Sequence, residues 1–95
     1  MEYFLAVYKY YAIIFKEDGN YIVEFPDLEN VFTYAETLPQ AVQYAEEVLG
    51  LMLTSNEADG IPFNPPSPAD KIRLPGEASL VLIEVDTDTF EIETY

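Results

Sequence analysis

The sequence predicts a small α+β domain in which a β-hairpin and a third strand are followed by one helix and a fourth strand. Three observations support this prediction. The first 25 residues are rich in aromatic and branched apolar side chains, which are typical of strands. Residues 37–53 carry apolar side chains at helical spacing behind a capping sequence. Residues 79–85 return to an apolar, strand-like pattern after a proline-rich stretch.

The first half of the chain reads as three strands. Tyr3–Phe15 is almost continuously apolar, so we expect a strand that is buried on both faces. In the turn that follows, Gly19 and Asn20 both tolerate a positive φ angle. Tyr21–Phe25 completes a hairpin, and Val31–Tyr34 forms a third short strand after a corner that contains proline.

The next segment has the clearest helical signal. Thr37 is a good N-cap, and Gln40 three residues later completes a capping box. Gly60 should end the helix, because glycine readily adopts the left-handed conformation of a C-cap. A stripe of apolar side chains at steps of three and four should pack on the sheet, and it comprises Leu38, Ala41, Val42, Ala45, Val48, Leu49, Met52 and Leu53.

The last part of the chain begins with five prolines between residues 61 and 76, which predict an irregular connection. Ser79–Val85 is the fourth strand, and because it returns after the helix we expect it to lie parallel to an earlier strand. Residues 86–95 alternate weakly between polar and apolar, which predicts a short edge strand or a tail. A length of 95 residues fits a single domain.

Composition excludes several classes of function. The chain carries 18 Asp and Glu against 4 Lys and Arg, a formal net charge of −14. That charge repels nucleic-acid phosphates and favours a basic protein partner, although acidity also serves solubility alone. Histidine and cysteine are absent, which removes the commonest general base, the thiolate nucleophile and the commonest metal ligands. We therefore expect a non-enzymatic protein with no catalytic residue, no cofactor and no metal.

The N-terminal apolar segment is too short to span a bilayer and lacks a basic region before it. We therefore expect a cytoplasmic protein with no membrane partner. The eight tyrosines exceed what a core of this size can hide. Because tyrosine is enriched at interfaces, some of them should line a partner or dimer surface. We therefore also expect the chain to be a homo-oligomer, namely a homodimer.

Several motifs together resemble those of the HicB-type antitoxins. Tyr11–Phe15 is similar to the family's first-strand motif, and Tyr21–Leu28, preceded by Gly19, is similar to its strand-and-corner motif "GYxVxFPDL". Gly60–Pro65 is similar to the family's motif at the exit of the helix. Between the corner motif and the exit motif, the family pattern has small and hydroxyl residues. In this sequence they are Thr33, Thr37, Ala41 and Ala45.

The sequence departs from the family pattern at two points. Glu29-Asn30 stands where the family usually has Pro-Gly, and Ala35 stands where it usually has glycine. Asn30 can still adopt the left-handed conformation that a glycine would supply, so the turn can survive. Many HicB proteins continue into a DNA-binding module, whereas only about ten residues follow the last predicted strand here. We therefore expect no DNA-binding domain and no direct contact with nucleic acid.

The resemblance implies a partial ribonuclease H-like fold of order β-β-β-α-β: an antiparallel hairpin and meander, one helix packed on the sheet, and a final parallel strand. A single HicB-like domain would cover residues 1–95, with residues 3–85 as its defined part. The implied partner is a HicA-type toxin, a small basic protein that cleaves messenger RNA. The chain would neutralise it by occluding its RNA-binding and active site.

Candidate partner-binding residues are acidic and tyrosine side chains on the predicted turns, strand faces and helix surface, where binding residues concentrate. They are Tyr21, Glu24, Asp27, Glu29, Asn30, Tyr34, Glu36, Glu46 and Glu47.

Two other functions remain as alternatives. One is an orphan HicB-like homodimer that serves as an interaction module without a toxin, since exposed strand edges suit self-association. The other is a metal-dependent nuclease, for which Glu46 or Glu47 and Asp86 could supply carboxylates. The first strand offers no acid to complete a two-metal site, so nuclease activity is not expected.

Overall fold

The computed structural model describes residues 7–88, so the first part of the expected strand 3–15 and most of the expected tail 86–95 lie outside the described residues. The elements run in the order β1 (Val7–Glu17), β2 (Asn20–Glu24), β3 (Phe32–Ala35), α1 (Leu38–Asp59), a short 3-10 helix (Ala69–Lys71) and β4 (Ser79–Asp86). The four strands form one sheet in the order β3-β2-β1-β4, with α1 packed on it. The α+β class and the order β-β-β-α-β are confirmed.

The prediction that the last strand is parallel is wrong, because β4 runs antiparallel to β1 with Ser79 opposite Ile14. The reason lies in the connection after the helix. The C-terminal end of α1 lies near the start of β1, where the Tyr8 hydroxyl donates to Glu57 over 3.0 Å. A chain entering β4 there would run parallel to β1. Instead, residues 60–78 carry the chain back to the far end of β1, and β4 starts from that end.

The β1–β2 hairpin turns on Asp18 and Gly19, with φ angles of 51° and 83°, rather than on Gly19 and Asn20. Asn20 already belongs to β2 and is paired with Glu17. Asp-Gly is typical of two-residue turns with two positive φ angles, whose twist matches that of the strands. This turn fixes the register of the whole hairpin.

The two faces of the sheet differ in burial. On the face that α1 covers, Tyr10, Ala12 and Ile14 of β1 are 4% exposed or less. On the opposite face, called the outer face below, Ile13 is 6% exposed but Phe15 is only half-buried. Burial on both faces, expected for the whole of the first strand, therefore holds only for its middle. The core also includes Val23, Phe25, Leu28, Val31, Ala35, Ala41, Ala45, Leu49, Leu53, Ile83 and Val85.

The helix follows the sequence prediction closely. The Thr37 hydroxyl oxygen accepts from the Gln40 N–H over 3.3 Å, and Gly60 ends α1 with a φ of 67°. The predicted apolar stripe is buried or half-buried against the sheet, except for Leu38, which is 46% exposed. Local capping chemistry and helical spacing are therefore sufficient to place this element.

Candidate protein-binding surface

Two exposed aromatic side chains dominate the β3 end of the outer face. Phe32 and Tyr34 are 62% and 65% exposed, although large aromatic residues usually bury most of their surface. They point outward because β3 alternates, with Thr33 and Ala35 directed to the α1 side. An exposed aromatic pair on one strand is a feature of interfaces.

The strand register joins this pair to neighbouring side chains, because directly opposed residues of antiparallel strands share a face. Phe32 lies opposite Glu24 on β2, and Tyr34 lies opposite Ile22. Ile22 in turn lies opposite Phe15 on β1. We call these five residues, Phe15, Ile22, Glu24, Phe32 and Tyr34, the β3 patch.

A hollow of about 480 Å³ adjoins the β3 patch, lined by Phe15, Lys16, Glu24 and residues 75–77. Its wall therefore combines an aromatic ring with the carboxylates of Glu24 and Glu77. The Lys16 ammonium is engaged elsewhere, because it lies 5.5 Å from the centre of the Tyr21 ring. Tyr21 alternates with Ile22 and so lies on the α1 side of the sheet.

The corner after β2 is held by contacts to the connection 60–78. The Asp27 carboxylate accepts from the Ser67 N–H over 2.7 Å and from the Ser67 hydroxyl over 2.6 Å. The Asn64 side-chain amide donates to the Asp27 carbonyl over 3.1 Å, and the Tyr10 hydroxyl donates to the Asn64 carbonyl. We call Asp27, Asn64 and Ser67 the Asp27 latch. It joins the corner motif to the connection 60–78, through residues that lie 37 and 40 positions further along the chain.

The same corner exposes Glu29 and Asn30, and Asn30 adopts the expected left-handed conformation with a φ of 62°. Phe25 and Leu28 are buried in the core. A second hollow, of about 310 Å³, lies between residues 27–30, α1 and residues 61–64.

Burial perturbs two tyrosines on the α1 side. It raises the pKa of Tyr10 to about 12, with further contributions from the Asp27 carboxylate and from Tyr8. Burial, followed by the hydrogen bond and charge of Glu57, also raises the pKa of Tyr8. Both hydroxyls are therefore neutral donors at physiological pH and serve the packing of the connection against the sheet.

The predicted site residues fall in separate places. Glu24 and Tyr34 lie in the β3 patch, and Glu36 lies next to it, where it lines a hollow of about 370 Å³ with Tyr34 and Tyr44. Asp27, Glu29 and Asn30 lie at the corner, with the Asp27 carboxylate occupied by Ser67. Glu46 and Glu47 are exposed on α1, and Tyr21 is half-buried on the α1 side. The nine residues therefore do not form one continuous surface.

Sequence reasoning missed Phe15, Phe32 and Glu77. The outward direction of Phe32 could have been predicted from the alternation of side chains along β3. Thr33 and Ala35 are the smaller side chains that fit under the helix, so Phe32 lies on the other face. The Asp18-Gly19 turn would have placed Glu24 opposite Ile13 of β1, on the outer face. Glu77 could not be found, because the connection has no periodicity that would predict its path.

These surfaces carry exposed aromatic rings, carboxylates and hollows of a few hundred Å³. Within residues 7–88, no three or more carboxylates are grouped in a way that could hold a metal ion. In the same range no helix is long and apolar enough to cross a membrane. Exposed aromatic side chains such as Phe32 and Tyr34 are typical of protein–protein interfaces.

The fold and the surface together define the class of this protein. It is an α+β domain whose outer face carries exposed aromatic side chains and carboxylates. No family model and no curated protein matches the sequence. Solved structures do match. A chain of a "HicA3 and HicB3 toxin-antitoxin complex" is 25% identical with a TM-score of 0.67, covering 82% of this chain and 98% of that one.

Two further structures have the same fold. A chain of a toxin-antitoxin complex from Streptococcus pneumoniae is 17% identical with a TM-score of 0.77, covering 94% of this chain and 79% of that one. The antitoxin HicB3 is 24% identical with a TM-score of 0.70, covering 92% of this chain and 68% of the antitoxin. The resemblance to HicB-type antitoxins is therefore confirmed in the fold.

Proposed function

We propose that this chain is an antitoxin that binds a small basic HicA-type toxin and neutralises it by occluding its RNA-binding and active site. The observation that carries the proposal is the likeness to a chain of the HicA3 and HicB3 complex, which extends over 82% of this chain. Such a protein acts by binding, needs no cofactor and works in the cytoplasm, where messenger RNA is translated.

Charge supports this role. A toxin that cleaves RNA must present a basic surface to a polyanionic substrate. A chain with a net charge of −14 competes with RNA for that surface and is steered towards it at long range. Occlusion then requires only that the bound chain cover the surface, with no chemical step.

The outer face supplies what a lasting complex needs in addition to charge. A few buried aromatic side chains usually provide most of the binding energy of an interface, whereas charges at its edge mainly set the association rate. Phe32 and Tyr34 are exposed aromatic side chains of this kind, and Glu24 lies between them and the hollow.

Co-expression with the neighbouring reading frame tests the proposal. We expect that frame to encode a small basic protein that co-purifies with this chain at low salt and associates more slowly at high salt, since salt screens the charges. The matched control is the same basic protein expressed with an unrelated acidic domain. If no such frame exists, or no complex forms at either salt concentration, the antitoxin role is contradicted and the homodimeric module replaces it.

A further inference from the structure

We propose that the β3 patch and the hollow beside it form the surface on which the basic partner docks, with an arginine or lysine side chain of the partner entering the hollow. This inference rests on the proposed function, from which it takes the basic character of the partner. It adds the place of contact and the chemistry of the side chain that is recognised.

The aromatic side chains on β3 are highly exposed. Phe32 and Tyr34 are more than 60% exposed, while the core side chains are 7% exposed or less. An apolar surface rimmed by polar side chains marks an interaction site, because leaving it in water is unfavourable. Phe32 borders Glu24 directly, so covering this aromatic pair brings a partner to the edge of the hollow.

The residues that line the hollow suit a positively charged side chain. The face of an aromatic ring such as Phe15 attracts a cation, and carboxylates such as Glu24 and Glu77 form charge-assisted hydrogen bonds with guanidinium or ammonium groups. Lys16 also lines the hollow, and its ammonium lies 5.5 Å from the centre of the Tyr21 ring. A volume of about 480 Å³ accommodates one long basic side chain together with water.

Charge distinguishes between a basic partner and a second copy of this chain as the occupant of the β3 patch. Two copies would each bring a net charge of −14 to the contact, and a symmetric pairing through the β3 patch would bring two Glu24 side chains towards each other. With a basic partner, the net charges of the two proteins attract each other, and Glu24 meets a positive charge instead of a second carboxylate. Charge complementarity therefore favours the basic partner.

The test uses the small basic protein from the neighbouring reading frame, titrated calorimetrically into the whole chain and its variants. Glu24→Gln is matched by Asp59→Asn, which removes the same charge from the exposed C-terminal end of α1. Phe32→Ser is matched by Leu51→Ser, since Leu51 is also a large apolar residue and is 45% exposed. Thermal unfolding establishes that every variant is folded.

We expect Phe32→Ser and Glu24→Gln each to raise the Kd about tenfold or more, as hot-spot residues do. Asp59→Asn and Leu51→Ser should stay within about twofold of wild type, as for exposed side chains outside the contact. If the wild type binds and all four variants bind equally well, the docking surface is overturned while the antitoxin role stands. If the wild type does not bind, both are overturned.

Two other results would also overturn the proposal. One is a wild-type dimer that Phe32→Ser converts to a monomer without changing the affinity for the basic protein, because a second copy would then occupy the patch. The other is a fall in the melting temperature of Phe32→Ser as large as that caused by a core substitution, because the patch would then be covered within the chain. Analytical ultracentrifugation and the thermal melts distinguish these results.

Discussion

At the scale of single residues, Asp27 was predicted to bind a partner, but its carboxylate makes hydrogen bonds within the chain. Its position in a corner motif, with acidic neighbours, made it a candidate for partner binding. In the structure both of its carboxylate oxygens accept hydrogen bonds from Ser67. A sequence cannot show this contact, because nothing local to Asp27 indicates where the connection 60–78 passes. Asn30, by contrast, was predictable, since its left-handed conformation depends only on its own turn.

Replacing Asp27 should therefore change stability. Asp27→Ala leaves the Ser67 N–H without its acceptor, and we expect the free energy of unfolding to fall by about 1–3 kcal/mol. Glu29→Ala, an exposed acid in the same corner, should change it by less than about 0.5 kcal/mol. Urea denaturation measures both values, and equal effects of the two substitutions would contradict the latch.

Tyr10 should make stability depend on alkaline pH. Its pKa is raised from 10.0 to about 12 in the folded chain, so between these values the unfolded chain loses the proton and the folded chain keeps it. Its contribution to stability is complete below pH 10 and is lost as the pH rises towards 12. We expect the free energy of unfolding of the wild type to fall more steeply over this range than that of Tyr10→Phe.

Denaturant titrations at a series of pH values make that comparison, and the other tyrosines cancel because both chains contain them. Parallel pH profiles for the two proteins would show that Tyr10 is not perturbed by its burial.

At the scale of elements, the sequence predicted best what depends on neighbouring residues. The cap at Thr37, the end at Gly60 and nearly all of the apolar stripe were found because each is set within a few residues. The predicted direction of β4 was wrong, because that direction depends on where the long irregular connection 60–78 brings the chain back to the sheet. The predicted hairpin turn was misplaced by one residue, because its two central residues are Asp18 and Gly19.

The packing of α1 on the sheet should be the main source of stability. Leu49 is fully buried between helix and strands, so Leu49→Ala should lower the free energy of unfolding by about 2–5 kcal/mol. Leu51→Ala, in the same helix but 45% exposed, should cost less than about 1 kcal/mol. Chemical denaturation of the two variants tests the assignment of the buried face, and similar losses would contradict it.

At the scale of the whole molecule, the motifs predicted the fold, whereas the binding function that net charge and composition indicate stays a prediction. The nine partner-binding residues also stay a prediction. Glu24 and Tyr34 lie in the β3 patch, whereas Tyr21, Glu46 and Glu47 lie on other parts of the surface. Exposure on a strand or helix can be read from alternation, but which exposed residues become neighbours depends on register and on the path of the connection.

The most direct test of the antitoxin role is the cleavage of messenger RNA by the neighbouring basic protein, measured while this chain is added in increasing amounts. If the chain neutralises the toxin by covering its active site, cleavage should fall in proportion to the amount added and stop near equimolar chain. Cleavage that continues unchanged in a large excess of folded chain would contradict the antitoxin role.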